Sequence, residues 1–164
     1  MIQGAWTDQV PCVPILSLSH TVGVAVAVVG DCDAAAGVGV DIERVGHMNK
    51  DVEALAFTPQ EQELLSSVGD AEKDGWSLRL WCAKEAVAKA LGQGMVSGPQ
   101  ALVVQALDAD SGIAQVGLTG ELSRRICKGG SLTLTAFTAC EGDLIVATAL
   151  CSLEGRKGGD EKKP

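Results

Sequence analysis

The sequence predicts one α+β domain, with strands first, helices in the middle and antiparallel strands last. Three observations lead to this class: apolar runs at Ile15–Val29 and Val38–Ile42, helix start and stop signals between them and residue 98, and period-two segments after Gly98. The chain of 164 residues has the length of a single domain, and its 46% of hydrophobic residues suffice for a core.

The N-terminal apolar run, Ile15–Val29, indicates two adjoining strands or one long bent strand. A further strand is predicted at Val38–Ile42, after the turn residues at 31–37. Because both runs are almost continuously apolar, we expect these strands to be buried rather than half-exposed.

The segment Thr-Pro-Gln-Glu at 58–61 predicts a helix start, in which Thr58 caps, Pro59 suits the first turn and Glu61 completes a capping box. This helix is expected to end near residue 68. A longer helix is predicted from about Gly75 to Leu91, where glycines follow. It is apolar nearly all round, which indicates a buried helix.

The C-terminal part predicts antiparallel strands joined by turns at 108–112 and 140–143, with a short helical connection at 121–127. These strands are placed near Ala101–Leu107, Ile113–Leu118, Leu132–Phe137 and Leu144–Leu150. We therefore expect a domain over 1–154, followed by a charged, glycine-rich and disordered tail at 155–164.

Composition excludes several functional classes. A net charge of −8 and 3% of aromatic residues argue against a nucleic-acid binder, so the expected large partner is a protein. No run approaches the roughly 20 apolar residues that span a bilayer, so we expect no membrane contact. The six cysteines lack close pairs, and Cys82, Cys140 and Cys151 are predicted to be buried and reduced, which favours the cytoplasm.

Two carboxylates, Asp41 and Glu43, lie two residues apart on a predicted strand, and period two puts them on one face. Like charges this close raise each other's pKa unless a cation lies between them. Oxygen ligands select Mg²⁺, Mn²⁺ or Ca²⁺. The alternative is a pair of exposed carboxylates at a strand end.

Glu85 and Lys89 are four residues apart on the long helix and share a face. They form either a surface ion pair or, in a buried helix, a functional pair. His20 lies between Ser19 and Thr21 in an apolar stretch. It is either a hydrogen-bonded structural residue or a donor to a phosphate oxygen.

The order of these elements resembles the 4′-phosphopantetheinyl transferase superfamily. The resemblance is carried by Ser19-His20-Thr21, Gly39-Val40-Asp41-Ile42-Glu43, Phe57-Thr58-Pro59-Gln60-Glu61 and the segment from Trp81-Cys82-Ala83-Lys84-Glu85-Ala86 to Lys89-Ala90-Leu91-Gly92-Gln93-Gly94. The Ser-His-Thr element and Trp81 are similar to the surfactin-synthetase-activating type, whereas the single-domain length is similar to the holo-acyl-carrier-protein synthase type. The family's fold, an antiparallel sheet packed against a long central helix, is implied as well.

The resemblance implies transfer of the 4′-phosphopantetheine arm of coenzyme A to a serine of an acyl or peptidyl carrier protein. By motif position, Asp41, Glu43 and Glu85 would hold Mg²⁺, or Mn²⁺ in its place. Glu85, or a water that it holds, would be the base, and Lys89 would contact a phosphate oxygen. Ser19, His20 and Lys84 would be further contacts to coenzyme A.

The surfactin-synthetase-activating type has two such domains, and only some 18 residues precede Ser19 here. The resemblance therefore implies a homo-oligomer, dimer or trimer, or a neighbouring domain of a polyketide or fatty-acid synthase. Arg44, Arg79 and the cluster of Arg124, Arg125 and Lys128 are candidates for docking an acidic carrier protein. Two alternatives stay open: a non-catalytic oligomerisation or docking module, and a different magnesium-dependent phosphotransferase or hydrolase.

Overall fold

The computed structural model describes residues 13–31, 35–46, 48, 50–68, 73–127 and 131–154. The α+β class is confirmed, with strands and helices in the predicted order. The strands are β1 (Ile15–Thr21), β2 (Val24–Gly30), β3 (Gly37–Arg44), β4 (Leu102–Asp108), β5 (Ile113–Leu118), β6 (Ser131–Glu141) and β7 (Leu144–Glu154). The helices are α1 (Lys50–Ala56), α2 (Pro59–Ser66), α3 (Lys73–Ala90) and α4 (Gly120–Cys127), with a 3₁₀ turn at Pro99–Ala101. The predicted tail at 155–164 lies outside the described residues.

The N-terminal apolar run forms two antiparallel strands, β1 and β2, which confirms the first of its two interpretations. The expected burial is wrong for this hairpin, since Leu16, Leu18 and Val29 are 53%, 62% and 64% exposed. The hairpin contacts β3 with one face, and its other face is exposed in the described part of the chain. Opposed positions share a face in an antiparallel pair, so Leu16 beside Val29 and Leu18 beside Ala27 form a continuous apolar surface.

A larger antiparallel sheet has the strand order β3-β7-β6-β5-β4. Strand β3 is buried from Gly37 to Ile42, as its apolar run predicts. Helix α3 packs across one face of the sheet, against β3, β7 and β6. The core lies between this helix and the sheet and is built largely from small side chains, including Ala83, Ala86 and Val87.

Helix α2 has the predicted start. The side chain of Thr58 accepts from the backbone N–H of Glu61, and the side chain of Glu61 accepts from the backbone N–H of Thr58, with Pro59 in the first turn. Helix α3 begins two residues before the predicted Gly75 and ends one before the predicted Leu91. Helix α1 is missing from the sequence-based prediction, because seven residues give too little periodicity to reveal a face.

Of the cysteines that the sequence places in the core, Cys82 and Cys151 are buried. The prediction is wrong for Cys140, which is exposed close to the β6–β7 turn. It follows an apolar stretch, but this end of the sheet places it where nothing in the described part of the chain covers it. No helix among the described residues is long and apolar enough to cross a membrane.

Candidate functional site

Strand β3 and helix α3 approach each other unusually closely, and glycine permits this contact. A Cβ atom built on Gly39 would lie 1.8 Å from the carbonyl oxygen of Ala86, and one built on Gly37 would lie 2.0 Å from that of Ala90. Alternation along β3 puts Asp41 and Glu43 on the same side as these glycines. The two carboxylates therefore face α3, the helix that carries Glu85 and Lys89.

Lys89 is the centre of the hydrogen bonds at this contact. Its Nζ donates to Asp41 Oδ1 at 2.7 Å, to the carbonyl oxygen of Val40 at 3.0 Å and to Ser19 Oγ at 3.1 Å. Ser19 in turn donates to Asp41 Oδ1 at 2.9 Å. The ion pair of Lys89 is thus made with Asp41 across two elements, rather than with Glu85 along the helix.

Asp41 keeps one free oxygen. Its side chain is 7% exposed, and Oδ2 is buried without a hydrogen-bond partner. The thiol of Cys82 lies within hydrogen-bond range of this carboxylate, and burial first, the charge of Asp41 second and the hydrogen bond to Asp41 third raise the pKa of that thiol. A thiol is a weak donor, so a buried carboxylate oxygen is left without a conventional donor. Such an oxygen is costly unless something outside the chain binds it.

Glu43 and Glu85 complete the acidic group. Burial, followed by the negative charge of Asp41, raises the pKa of each carboxyl above its usual value, while the charge of Lys89 opposes the shift. The charge of Glu43 also raises the pKa of Glu85. The three predicted metal-ligand carboxylates therefore lie close enough to repel each other, with one ammonium group to offset them.

Among the residues that the structure describes, no three His, Cys, Asp or Glu side chains converge tightly enough to hold a metal ion as they stand. The ammonium group of Lys89 lies against Asp41 Oδ1 instead. The chemistry of the group still suits a hard cation. Its members are oxygen donors, they carry like charges, and Asp41 Oδ2 is free.

The two residues of β1 that the sequence predicts as coenzyme A contacts, Ser19 and His20, lie on opposite faces of the strand. Ser19 points inward to Asp41 and Lys89, whereas His20 is exposed. Adjacent residues of a strand point to opposite faces, so His20 does not join the carboxylate group.

Ser17 also belongs to the site, although the sequence-based prediction does not include it. Its Oγ accepts a hydrogen bond of 3.1 Å from the backbone N–H of Val40. The polar spacing of Ser17 and Ser19 inside an apolar strand is the signal that could have identified both residues as inward-facing. Ser17 thereby holds β1 against β3 beside Asp41.

Lys84 occupies a different place from the predicted one. It is fully buried on the side of α3 that faces α1 and α2, where Nζ donates to Glu61 Oε2 at 2.8 Å and to the carbonyl oxygen of Ala56 at 2.6 Å. Burial lowers its pKa, and the hydrogen bond and charge of Glu61 oppose that shift. With no exposed surface and two internal acceptors, Lys84 has no free face to offer coenzyme A, which argues against the expected contact at this residue.

Some of the basic residues that the sequence suggests for docking a carrier protein have partners within this protein. Arg44 pairs with Asp143 and donates to the carbonyl oxygen of Val22, which joins the β1–β2 turn to the β6–β7 turn. Arg79 stacks over Trp76, with its guanidinium 4.4 Å from the ring centre. Arg125 donates to Gln93. Arg124 is exposed, and Lys128 lies outside the described residues.

The chain matches a known family over two of the elements that build this site. A family model described as the 4′-phosphopantetheinyl transferase superfamily matches residues 37–149, which include β3 and α3. The 4′-phosphopantetheinyl transferase HetI of Nostoc sp. is 36% identical over 84 residues, which are 49% of this chain and 34% of that protein. The match thus spans about a third of the curated relative's length.

Solved structures resemble the fold at low sequence identity. The holo-[acyl-carrier-protein] synthase of Neisseria meningitidis aligns with a TM-score of 0.60 and 20% identity, over 72% of this chain and 98% of that chain. The Helicobacter pylori synthase, solved in complex with coenzyme A, aligns with a TM-score of 0.54 and 16% identity, over 70% of this chain and 99% of that one. At these identities the resemblance establishes the fold.

Proposed function

Since the chain belongs to the 4′-phosphopantetheinyl transferase superfamily, we propose that it transfers the 4′-phosphopantetheine arm of coenzyme A to a serine of an acyl or peptidyl carrier protein. The reaction would be that of a holo-[acyl-carrier-protein] synthase. The observation that carries this proposal is the contact of β3 with α3, where Asp41 has a buried oxygen without a conventional donor beside Glu43, Glu85 and Lys89.

Asp41, Glu43 and Glu85 are the residues that would hold Mg²⁺, or Mn²⁺ in its place. Their oxygen donors, their mutual repulsion and the free Oδ2 of Asp41 support this assignment. Bound there, the ion would supply positive charge to the pyrophosphate of coenzyme A, the main requirement of phosphoryl-type transfer.

The protein's own residues would carry the remaining steps. The serine oxygen of the carrier forms a bond to the β-phosphorus, the anhydride bond breaks, and adenosine 3′,5′-bisphosphate leaves. Glu85, with a pKa raised by burial and by Asp41, is suited to accept the serine proton directly or through a water. Lys89, with 29% of its side chain exposed, would reach a phosphate oxygen.

Ser19 and His20 are proposed as further contacts to coenzyme A from opposite faces of β1. Ser19 would act through the hydroxyl that now bridges Lys89 and Asp41. His20 lies on the outer face of the hairpin, so it would contact coenzyme A only where the bound molecule extends past that face. Lys84 has no part in this proposal, because it is buried against Glu61.

Loading of labelled coenzyme A onto apo carrier proteins, with and without Mg²⁺, tests the proposal. We expect metal-dependent loading that falls at least about 100-fold in Glu85→Gln and Lys89→Met, because each removes a group at the reacting centre. Glu121→Gln, at an exposed carboxylate on α4, is the matched control and should load normally. No transfer to any carrier under any metal condition would favour a non-catalytic docking or oligomerisation module instead.

We also propose that the chain self-associates through the outer face of the β1–β2 hairpin. This face presents Leu16, Leu18, Ala27 and Val29, with His20 at its end and no acidic side chain among them, so two acidic copies can meet there without bringing carboxylates together. Light scattering should show an oligomer for the wild type and a smaller species for Leu18→Lys. An active, strictly monomeric wild type would overturn this and favour a neighbouring synthase domain as the cover.

Cytoplasmic location is proposed for the same protein. Cys82 and Cys151 are unpaired and buried in the described core, which fits a reducing compartment.

A further inference from the structure

Lys84 and Glu61 form a fully buried ion pair that the proposed reaction does not use. Both side chains are 0% exposed, and Lys84 Nζ lies 2.8 Å from Glu61 Oε2. Glu61 accepts through Oε2 from the backbone N–H of Thr58 at 2.8 Å and from its hydroxyl at 3.0 Å, and through Oε1 from the backbone N–H of Val104 at 2.9 Å. Lys84 also donates to the carbonyl oxygen of Ala56 at 2.6 Å.

These contacts join the end of α1, the start of α2, the middle of α3 and strand β4 through directional bonds. A buried ion pair is a weak source of stability, since well-packed apolar residues of similar volume often replace it without loss. What a pair with fixed partners does supply is geometric specificity, because each bond has a preferred direction and length. The arrangement therefore indicates a positional role for the pair.

Helix α3 needs such a constraint on the side where it meets β3. The contact is made by glycines against the helix backbone at Ala86 and Ala90, so few side chains interlock there. Helix packing is normally fixed by ridges of side chains set into grooves, and small residues give shallow ridges. A rotation of α3 by about 20° would move a side-chain tip about 6 Å from the axis by about 2 Å.

Lys84 and Glu85 are adjacent on α3, about 100° apart around its axis. Lys84 faces Glu61 while Glu85 faces the carboxylates of β3, so fixing the first side chain sets the direction of the second. We propose that the Lys84–Glu61 pair is a positioning pair for the active site: it fixes the rotation of α3 and so holds Glu85 and Lys89 opposite Asp41. This inference rests on the proposed function.

The test separates position from stability. The double variant Lys84→Met/Glu61→Gln removes both charges, fills the lysine volume and keeps an acceptor for the N–H of Val104. Lys84→Met alone leaves Glu61 buried without its partner. Leu122→Ala, in the buried part of α4 and away from β3, is the matched destabilised control.

Three quantities are measured for each variant: the melting temperature, the Mn²⁺ affinity of the free protein by electron paramagnetic resonance, and kcat in the loading assay. We expect the double variant to melt above Lys84→Met, yet to bind Mn²⁺ at least about fivefold more weakly and to load at least about tenfold more slowly than the wild type. Leu122→Ala should melt lower with unchanged Mn²⁺ affinity. A folded double variant with wild-type Mn²⁺ affinity and kcat would overturn the inference.

If the double variant does not fold, the variant Thr58→Ala tests the positioning role instead. It removes the hydroxyl that donates to Glu61 Oε2 and accepts from the backbone N–H of Glu61, and it leaves both charges in place. A loss of Mn²⁺ affinity of about twofold supports the inference, and an unchanged affinity overturns it. A wild type that neither binds Mn²⁺ nor loads any carrier would instead refute the proposed function. The two failures are therefore distinct.

Discussion

Replacing Gly39 with alanine is a direct way to move helix α3 away from the carboxylates of β3 without changing any of them. The new Cβ would lie 1.8 Å from the carbonyl oxygen of Ala86 and 2.7 Å from the backbone nitrogen of Ala90. Both are backbone atoms of α3, so no side-chain rotation relieves the overlap. The helix or the strand must shift.

The size of that shift follows from the same contact. Real Cβ atoms essentially never approach a heavy atom more closely than 3.0 Å, and the difference from 1.8 Å is about 1.2 Å. Overpacking of this kind costs about 1–3 kcal/mol in the free energy of unfolding. The same movement would stretch the 2.7 Å contact between Lys89 and Asp41 beyond a hydrogen bond. A misplacement of about 1 Å can lower the rate about 100-fold.

Thermal unfolding and the loading assay measure the two effects. Gly75→Ala is the control, because it makes the same substitution near the start of α3, where a Cβ atom would meet nothing within 4 Å. Alanine there should stabilise the protein by up to about 1 kcal/mol and leave transfer unchanged. Wild-type stability and activity in Gly39→Ala would refute the close-contact argument.

Two further predictions concern the same region. Ser17→Ala should lower the free energy of unfolding by about 1–3 kcal/mol in chemical denaturation, because the buried N–H of Val40 loses its acceptor. The control Ser66→Ala, at an exposed serine, should stay within about 0.5 kcal/mol of the wild type. Equal effects of the two substitutions would contradict this prediction. Burial and then Asp41 raise the pKa of Glu85 above its usual 4.5, so the folded protein holds that proton more tightly than the unfolded chain. The melting temperature of the metal-free protein should therefore fall as the pH rises from about 4.5 through the raised pKa of Glu85. An equally steep fall in Glu85→Gln would show that Glu85 is not the cause.

The fold is predictable where local chemistry repeats along the chain. The capping box at Thr58 and Glu61 marks a helix start, and the all-round apolar pattern of α3 marks a buried helix, so both features follow from spacing. Burial of β1 and β2 is not predictable in this way. Apolar residues on both faces indicate that both faces can be covered, but the sequence does not say whether the cover lies within the described chain or outside it.

The candidate site divides along similar lines. Alternation in β3 is enough to put Asp41 and Glu43 on one face, and helical spacing is enough to put Glu85 and Lys89 on another. The ion-pair partner of Lys89 does not follow from spacing, which favours Glu85 along one helix, because the three-dimensional contact is with Asp41. For Lys84, adjacency in the sequence is misleading. A lysine beside Glu85, a proposed functional residue, suggests a shared role, although the helix turns Lys84 toward Glu61.

The residues that build the site also protect an edge of the sheet. β3 is a terminal strand, and the polar backbone groups of Val40 are bonded by side chains: Ser17 accepts from its N–H and Lys89 donates to its carbonyl oxygen. Unpaired groups on an edge strand are an opportunity for unwanted pairing. Replacing Lys89 therefore removes a charge from the proposed reacting centre and also frees a backbone acceptor. Loss of activity in Lys89 variants is evidence for catalysis only when the melting temperature and oligomeric state are measured on the same protein, because a freed edge can lower the active fraction by itself.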